Sequence, residues 1–125
     1  KAAQDMNSPE VLERIIVSLY NMKDVQTVKN IYPFKSENFA MRQYGFNHNW
    51  YRLAEFCIKN NIHGVNIFES IIDPDPEGVK LLASKGIHVF SAVTNSLSKL
   101  QEYKALGITG AVSDFLSDPD WSLIE

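Results

Sequence analysis

Three short apolar runs recur in the second half of the chain, each after a stretch with helical spacing. The runs read NNIHGVNIF, KGIHVFSAV and LGITGAVSDF, and their isoleucines Ile62, Ile87 and Ile108 recur about every 21 to 25 residues. That interval fits one strand plus one helix, and near-continuous apolar strands are typical of a parallel sheet buried on both faces. Two further strands are predicted upstream, RIIVSLY (Arg14–Tyr20) and ENFAMRQYG (Glu37–Gly45).

Stretches with helical spacing lie between the predicted strands. MKDVQTVKNIY carries apolar residues on one face, and NWYRLAEFCIKNN repeats them at i, i+3, i+4 and i+7, a spacing that indicates an amphipathic helix. The residues that share one face in the first of these helices are Val25, Val28 and Ile31, and those at helical spacing in the second are Trp50, Leu53, Ala54 and Cys57. A core role is expected for Trp50, and an inert buried thiol for Cys57.

The last two helices carry recognisable start and stop signals. DPEGVKLLASKG predicts a helix with Asp75 as its N-cap and Gly86 just past its end. NSLSKLQEYKALG predicts a helix capped by Asn95 or Ser96 and stopped by Gly107. Its inward residues are expected to be Leu97, Leu100 and Leu106.

Composition indicates one folded domain, and its charge balance argues against binding to nucleic acid or to an acidic membrane surface. The 125 residues are 45% hydrophobic and 11% aromatic, and 12 basic against 15 acidic residues give a net charge of −3. No basic stripe suggests nucleic-acid binding, and no apolar stretch predicts a membrane span. One cysteine excludes an intrachain disulfide framework and leaves the compartment open. The start at Lys1 rather than Met suggests a processed or excised product.

Two architectures fit about five parallel β-α units. One is a complete five-stranded doubly wound sheet, and the other is part of a (β/α)₈ barrel, which needs about 200 residues or more to close. Both place chemistry at the carboxyl ends of the strands. A doubly wound phosphate-binding protein has a glycine-rich turn after its first strand, whereas this chain reads LYNMKD there. The strand ends therefore favour the partial barrel.

Several segments resemble the C-terminal half of the glycerophosphodiester phosphodiesterase family. They are RIIVSLYN, IYPFKS, the turn VTN and GITGAVSDFL, and the IYPF element resembles the Gram-positive branch. The family's penultimate strand typically ends in an aromatic residue or His, then Thr, an aliphatic residue and Asn, and its last strand reads G-V-x-G-I-x-T-D. Asn95 and Asp114 match these patterns, Ala92 and Val93 depart from them, and Ser113 replaces Thr.

The resemblance implies that residues 1–125 are one C-terminal half-barrel segment of a phosphodiesterase-like domain. A full barrel of this family hydrolyses phosphodiesters with a divalent cation, Ca²⁺ or Mg²⁺, and its catalytic histidines lie in H-R-G and H-D motifs. Those motifs do not occur in this sequence, so the chain alone is expected to be inactive and to hold neither a catalytic residue nor a metal ligand. Tyr20, Asn95 and Asp114 are the candidates for contacting a phosphodiester or for holding a group that does.

Other polar residues have plainer explanations. Glu69, Asp73 and Asp75 suggest a cation site, but their spacing matches no calcium loop and favours a solvated loop. His63 and His88 begin predicted strands, where a structural role is expected.

An open half-barrel exposes sheet edges and an apolar face, so it is expected to pair with a second copy or with a missing N-terminal half-barrel. A half-barrel that has lost catalysis and serves as a binding or assembly module is the alternative function. An unrelated α/β domain without catalytic function is the third possibility.

Overall fold

Within the part of the chain that the structure describes, α-helices connect five parallel strands, with one helix in each connection except the third, which contains two. The computed structural model describes residues 9–14, 16–32, 34–41, 46 and 48–116. A 3₁₀ turn at Pro9–Arg14 precedes the sheet. The strands are β1 (Ile16–Leu19), β2 (Ser36–Met41), β3 (Gly64–Phe68), β4 (His88–Ala92) and β5 (Gly110–Val112). The helices are α1 (Met22–Ile31), α2 (Trp50–Lys59), α3 (Glu69–Ile72), α4 (Glu77–Ser84) and α5 (Leu97–Leu106).

The order of the strands distinguishes the two predicted architectures. Each strand pairs in parallel with the next one along the chain, in the order β1-β2-β3-β4-β5. A doubly wound sheet reverses its order at a switch point and carries helices on both faces, whereas right-handed crossovers in strictly sequential order place all helices on one face. The fold is therefore the partial (β/α)₈ barrel that the strand ends favour, and the doubly wound alternative is wrong.

The hydrophobic core lies between the sheet and its helices. From the strands it takes Ile67 and a row that the register aligns across four strands: Leu19, Phe39, Val65 and Val89. From the helices it takes Val25, Leu53, Val79, Leu82 and Tyr103. Trp50 and Cys57 are buried in this layer as predicted, and burial raises the pKa of the Cys57 thiol to about 12, which keeps it protonated and unreactive.

The opposite face of the sheet is not buried, contrary to the expectation of strands covered on both sides. The residues that alternate with the core positions include Ser18, Asn66 and Phe68, and the Phe68 side chain is 40% exposed. Because successive side chains of a strand point to opposite faces, the helices cover only one set of them. We call the helix-covered side the outer face and the other side the inner face.

The observed caps and ends of the helices match the predicted ones only in part. Ser96, not Asn95, caps α5, with its side chain accepting from the Lys99 N–H, and Gly107 ends the helix at a φ of 101° that side-chain-bearing residues rarely adopt. Asp75 does not cap α4, because its carboxylate accepts the Trp50 indole N–H at 2.6 Å instead. The prediction that Leu97 points inward is also wrong, since it begins the helix and is 49% exposed.

The bounds of the first two strands differ from the predicted ones. Arg14 and Tyr20 of the Arg14–Tyr20 prediction lie outside β1, and residue 15 is not among the described residues. β2 begins at Ser36, one residue before the prediction, and residues 42–45 of the predicted strand lie outside the described residues. In the described part of the chain, no helix is long and apolar enough to cross a membrane.

His63 and His88 have hydrogen-bond partners at the amino ends of the strands. The backbone N–H of Glu37 donates to His63 Nδ1 at 3.4 Å, and His88 Nδ1 lies 3.3 Å from Thr109 Oγ1. This edge is opposite to the one where parallel barrels perform chemistry, which fits the predicted structural role of both histidines.

Candidate functional site

The carboxyl ends of the strands bring two of the predicted residues together. Asn95 follows β4, and Asp114 follows β5, the neighbouring strand. Asn95 Nδ2 donates to Asp114 Oδ2 at 2.9 Å, and Asn95 Oδ1 accepts from the Asp114 backbone N–H, also at 2.9 Å. The carboxamide therefore bridges the loops that follow the last two strands of the sheet.

Ser113 completes this bridge and fixes the turn beyond it. Its hydroxyl donates to Asn95 Oδ1 at 2.8 Å and accepts from the backbone N–H of Leu116 at 3.1 Å. Serine and threonine both carry a hydroxyl that can donate to the Asn95 oxygen. The Ser113 that stands where the resembled family has Thr therefore keeps this hydrogen bond. We call Asn95, Ser113 and Asp114 the strand-end bridge.

The strand-end bridge leaves hydrogen-bonding capacity for a ligand. Asp114 is exposed, and within the described part of the chain its Oδ1 accepts no hydrogen bond, while Oδ2 accepts the one from Asn95. A carboxylate held in this way can accept hydrogen bonds from a ligand hydroxyl or ammonium group. It cannot by itself bind the anionic part of a phosphodiester.

The loop before Asn95 is anchored to the sheet. The buried Thr94 hydroxyl donates to Ser91 Oγ at 2.8 Å, and the Thr94 backbone N–H donates to the Val112 carbonyl at the end of β5. The peptide bond between Ala92 and Val93 in this loop is cis. Val93 is 45% exposed at the rim, where the resembled family has Thr.

Tyr20, the third candidate, lies apart from the strand-end bridge. It follows β1, and β2, β3 and β4 separate that strand from β5. The neighbouring Asn21 caps α1, with its side chain accepting from the Lys23 N–H at 3.2 Å. Tyr20 is 56% exposed at the same edge of the sheet as Asp114. In an open sheet the two residues do not form one site.

The acidic segment after β3 is structured rather than a solvated loop. Glu69 begins the short helix α3, and Asp73 Oδ1 accepts from the buried Tyr103 hydroxyl at 2.6 Å and from Lys99 Nζ at 2.8 Å. Asp75 binds Trp50 as described above. Among the described residues no three His, Cys, Asp or Glu side chains are grouped so that they could hold a metal ion.

The Asp73 cluster has shifted pKa values that favour its ion pair. Burial raises the pKa of Asp73. Hydrogen bonds from Lys99 and Tyr103 and the charge of Lys99 lower it by more, so the net shift is downward. The hydrogen bond to Asp73 raises the pKa of Lys99, and burial, assisted by the same carboxylate, raises the pKa of Tyr103. The cluster therefore joins α3 to α5 through a charged pair and a neutral phenol.

Sequence reasoning missed this cluster and the serine of the bridge. Lys99 and Tyr103 are four residues apart on one helix, a spacing that signals a shared face, but Asp73 lies 30 residues before Tyr103. Nothing in the local sequence pairs residues that far apart.

Comparison with known proteins supports the fold. A crystal structure of a glycerophosphodiester phosphodiesterase from Parabacteroides distasonis superposes on this chain with a TM-score of 0.54 at 15% sequence identity. The match covers 87% of this chain and 56% of that protein, so the chain spans little more than half of its length. No family model matches the sequence, and no curated protein is significantly similar to it. At this identity the likeness establishes a shared fold, and a phosphodiesterase function for this chain remains a proposal.

Proposed function

We propose that this chain is the C-terminal portion of a glycerophosphodiester phosphodiesterase-like barrel of the Gram-positive-like branch. The observation that carries the proposal is the strand-end bridge, which joins Asn95 to Asp114 at the ends of the last two strands. These two residues match the strand-end patterns of the resembled family, and they follow neighbouring strands of a sheet whose fold is similar to part of such an enzyme.

The parent protein in this proposal hydrolyses glycerophosphodiesters. The described residues do not fit the divalent cation of the resembled family, because no group of three potential ligands exists among them. In this proposal the cation ligands and the acid and base groups belong to another part of the parent, because the H-R-G and H-D motifs of the resembled family do not occur in this sequence. The contribution of Asp114 is to accept hydrogen bonds from substrate hydroxyl groups, while Asn95 holds it in position.

The test is hydrolysis of glycerophosphocholine by the natural polypeptide with Mg²⁺ or Ca²⁺, measured as released glycerol phosphate. Asp114→Ala and Asn95→Ala are expected to lower kcat/KM by about tenfold, the value of one or two hydrogen bonds. Glu77→Gln, which changes an exposed carboxylate on the outer helix α4, is the matched control and is expected to keep full activity.

Two results contradict the proposal. One is a natural polypeptide that hydrolyses no glycerophosphodiester with either cation. The other is metal-dependent hydrolysis by the 125-residue chain alone, since its catalytic groups are assigned to another segment.

A non-catalytic binding or assembly module is the second candidate. It is favoured by Ala92 and Val93, which replace an aromatic residue or His and a Thr of the resembled pattern at the rim. The substitution Val93→Thr in the natural polypeptide restores the residue of the resembled pattern and separates the enzyme from the binding module. Hydrolysis that is gained or retained supports the enzyme. A protein that stays inactive but binds glycerophosphocholine in calorimetry supports the module.

A further inference from the structure

A cavity of about 260 Å³ lies where β3 and β4 begin, at the opposite end of the sheet from the strand-end bridge. We call it the amino-edge cavity. The turn from α2 to β3 and the turn from α4 to β4 both contribute to its walls. No Asp or Glu of the described part of the chain lines it. The lining combines the buried Ile62 and Ile87 with four polar residues: Asn61, His63, Lys85 and His88.

The two turns have the same construction, which places the two histidines side by side. Just beyond each helix a residue adopts a positive φ, 54° at Asn61 and 75° at Gly86, and an isoleucine and then a histidine follow it. The His88 N–H donates to the His63 carbonyl at 2.9 Å. The N–H groups of both turns donate to carbonyls at the ends of α2 and α4. A ligand in the cavity therefore finds its donors among the side chains.

Each histidine is held through one ring nitrogen, and the other remains available. The Glu37 N–H donates to His63 Nδ1 at 3.4 Å, so a neutral His63 carries its proton on Nε2, which is then a donor. His88 Nδ1 lies 3.3 Å from Thr109 Oγ1, and a hydroxyl that donates to Nδ1 leaves the His88 proton on Nε2 in the same way. Among the described residues neither Nε2 has a partner.

Lys85 adds a full positive charge to the same lining. In the described part of the chain it takes part in none of the ion pairs, whereas Lys80 on α4 pairs with Glu77 at 2.6 Å. The acid closest to the histidines in the sheet is Glu37, and its carboxylate lies 3.0 Å from Lys29 Nζ instead. The amino-edge cavity therefore holds a cation and two imidazole donors without a carboxylate to balance them.

These groups suit a small oxyanion better than a cation. A phosphate group presents several acceptor oxygens in different directions, and lysine is a common partner for it. The carboxyl ends of α2 and α4 carry a partial negative charge that opposes an anion, but this effect is confined to the last turn, and carbonyls there already accept from the turns. The volume is below the range of about 300–1,000 Å³ that is usual for larger ligands, so the ligand is small.

We propose that the amino-edge cavity binds the phosphate group of a small soluble molecule, either inorganic phosphate or a short phosphate monoester. Lys85 supplies the countercharge, His63 and His88 donate through Nε2, and Ile62 and Ile87 contact a short organic part where there is one. The site lies at the edge of the sheet opposite to Asp114, so it goes beyond the proposed function and does not depend on it.

The test is a titration of the natural polypeptide with sodium phosphate at constant pH and ionic strength, followed by NMR of isotope-labelled histidine rings. The ring signals of His63 and His88 are expected to shift together and to saturate, with a Kd below about 10 mM. Lys85→Gln removes the charge of an exposed side chain and is expected to raise Kd at least about tenfold. Lys80→Gln on the same helix is the matched control and should leave Kd within about twofold.

His63→Asn separates the two ring nitrogens. Its Oδ1 can still accept from the Glu37 N–H, but the Nε2 donor is lost, so Kd is expected to rise about threefold to tenfold. Weakening by both Lys85→Gln and His63→Asn supports the proposal. A His63→Asn protein that binds phosphate like the unchanged protein overturns it.

Three further results also decide the matter. Shifts that do not saturate, or equal weakening by Lys80→Gln and Lys85→Gln, overturn the proposal, because both indicate general attraction to surface lysines. Saturable binding that moves neither histidine signal overturns it as well, since the anion then binds elsewhere. A second titration with glycerol phosphate identifies the source of the phosphate group. Tighter binding than inorganic phosphate supports a monoester, and equal or weaker binding supports the free ion.

Discussion

The two faces of the sheet differ although the same strands form both. On the outer face Val65 and Ile67 of β3 are fully buried against the helices, whereas Asn66 between them and Phe68 beyond them remain partly exposed on the inner face. Alternation along a strand sends neighbouring residues to different surroundings, so one strand carries core and non-core positions in turn. The difference shows that this chain supplies the cover of one face only.

The largest expected loss of stability comes from comparing an outer-face with an inner-face substitution in β3. Ile67→Ala on the outer face removes a fully buried side chain and is expected to lower the free energy of unfolding by about 3 kcal/mol. Phe68→Ala on the inner face of the 125-residue chain is expected to cost less than about 1 kcal/mol, since part of that ring is already in water. Urea denaturation measures both, and equal losses would mean that the inner face is buried by this chain itself.

A buried ion pair on the outer face gives the next effect. The Glu37 side chain is buried beside Lys29, and the Lys29 Nζ lies 3.0 Å from Glu37 Oε2. The two groups form an ion pair, but their angles do not meet those of a hydrogen bond. Lys29→Met leaves the carboxylate buried without a countercharge and is expected to cost about 2 kcal/mol, below the usual loss because Lys29 is partly exposed. The exposed pair Lys80–Glu77 is the control, and Lys80→Met should change stability by less than about 0.5 kcal/mol.

A double variant sharpens this test. Lys29→Met combined with Glu37→Gln removes the uncompensated charge and should recover part of the lost stability. No recovery would mean that packing by the lysine stem, not its charge, is what Glu37 requires.

The smallest effect concerns acid sensitivity of the outer layer. The pKa of Asp73 is lowered in the folded state from 3.8, so the unfolded chain binds its proton first on acidification. Stability from this group is therefore complete above pH 3.8 and is lost as the pH falls toward the lower folded-state pKa. Asp73→Asn should flatten the fall in stability between pH 5 and 3 by less than about 1 kcal/mol, because the group is partly exposed. An unchanged slope would contradict the assigned pKa direction.

The sequence predicted what depends on local pattern. Five strands, a cap at Asn95 or Ser96, the stop at Gly107 and the buried Cys57 follow from spacing and turn chemistry. The structure contains these strands with different bounds, assigns the cap to Ser96, and confirms Gly107 and Cys57. The role of Asp75 was mispredicted because a distant group, the Trp50 indole 25 residues earlier, competes for its carboxylate.

The candidate site was predictable only as two separate residues. Asn95 and Asp114 stand out at the ends of their strands, but the hydrogen bonds that join them, and the serine that supports the join, depend on the pairing of β4 with β5. The exposure of the inner face was likewise hidden, because GVNIF reads as a buried run until its register against the neighbouring strands is known.

The most direct measurement is residue-resolved amide hydrogen exchange across the sheet of the natural polypeptide. If the rest of a (β/α)₈ barrel closes this sheet, as the proposed function requires, the amides of the edge strands β1 and β5 are paired on both sides, and their exchange should be slowed to within about tenfold of β3. Exchange of β1 and β5 at rates near those of an unfolded chain, beside a protected β3, would show an open sheet and contradict the account.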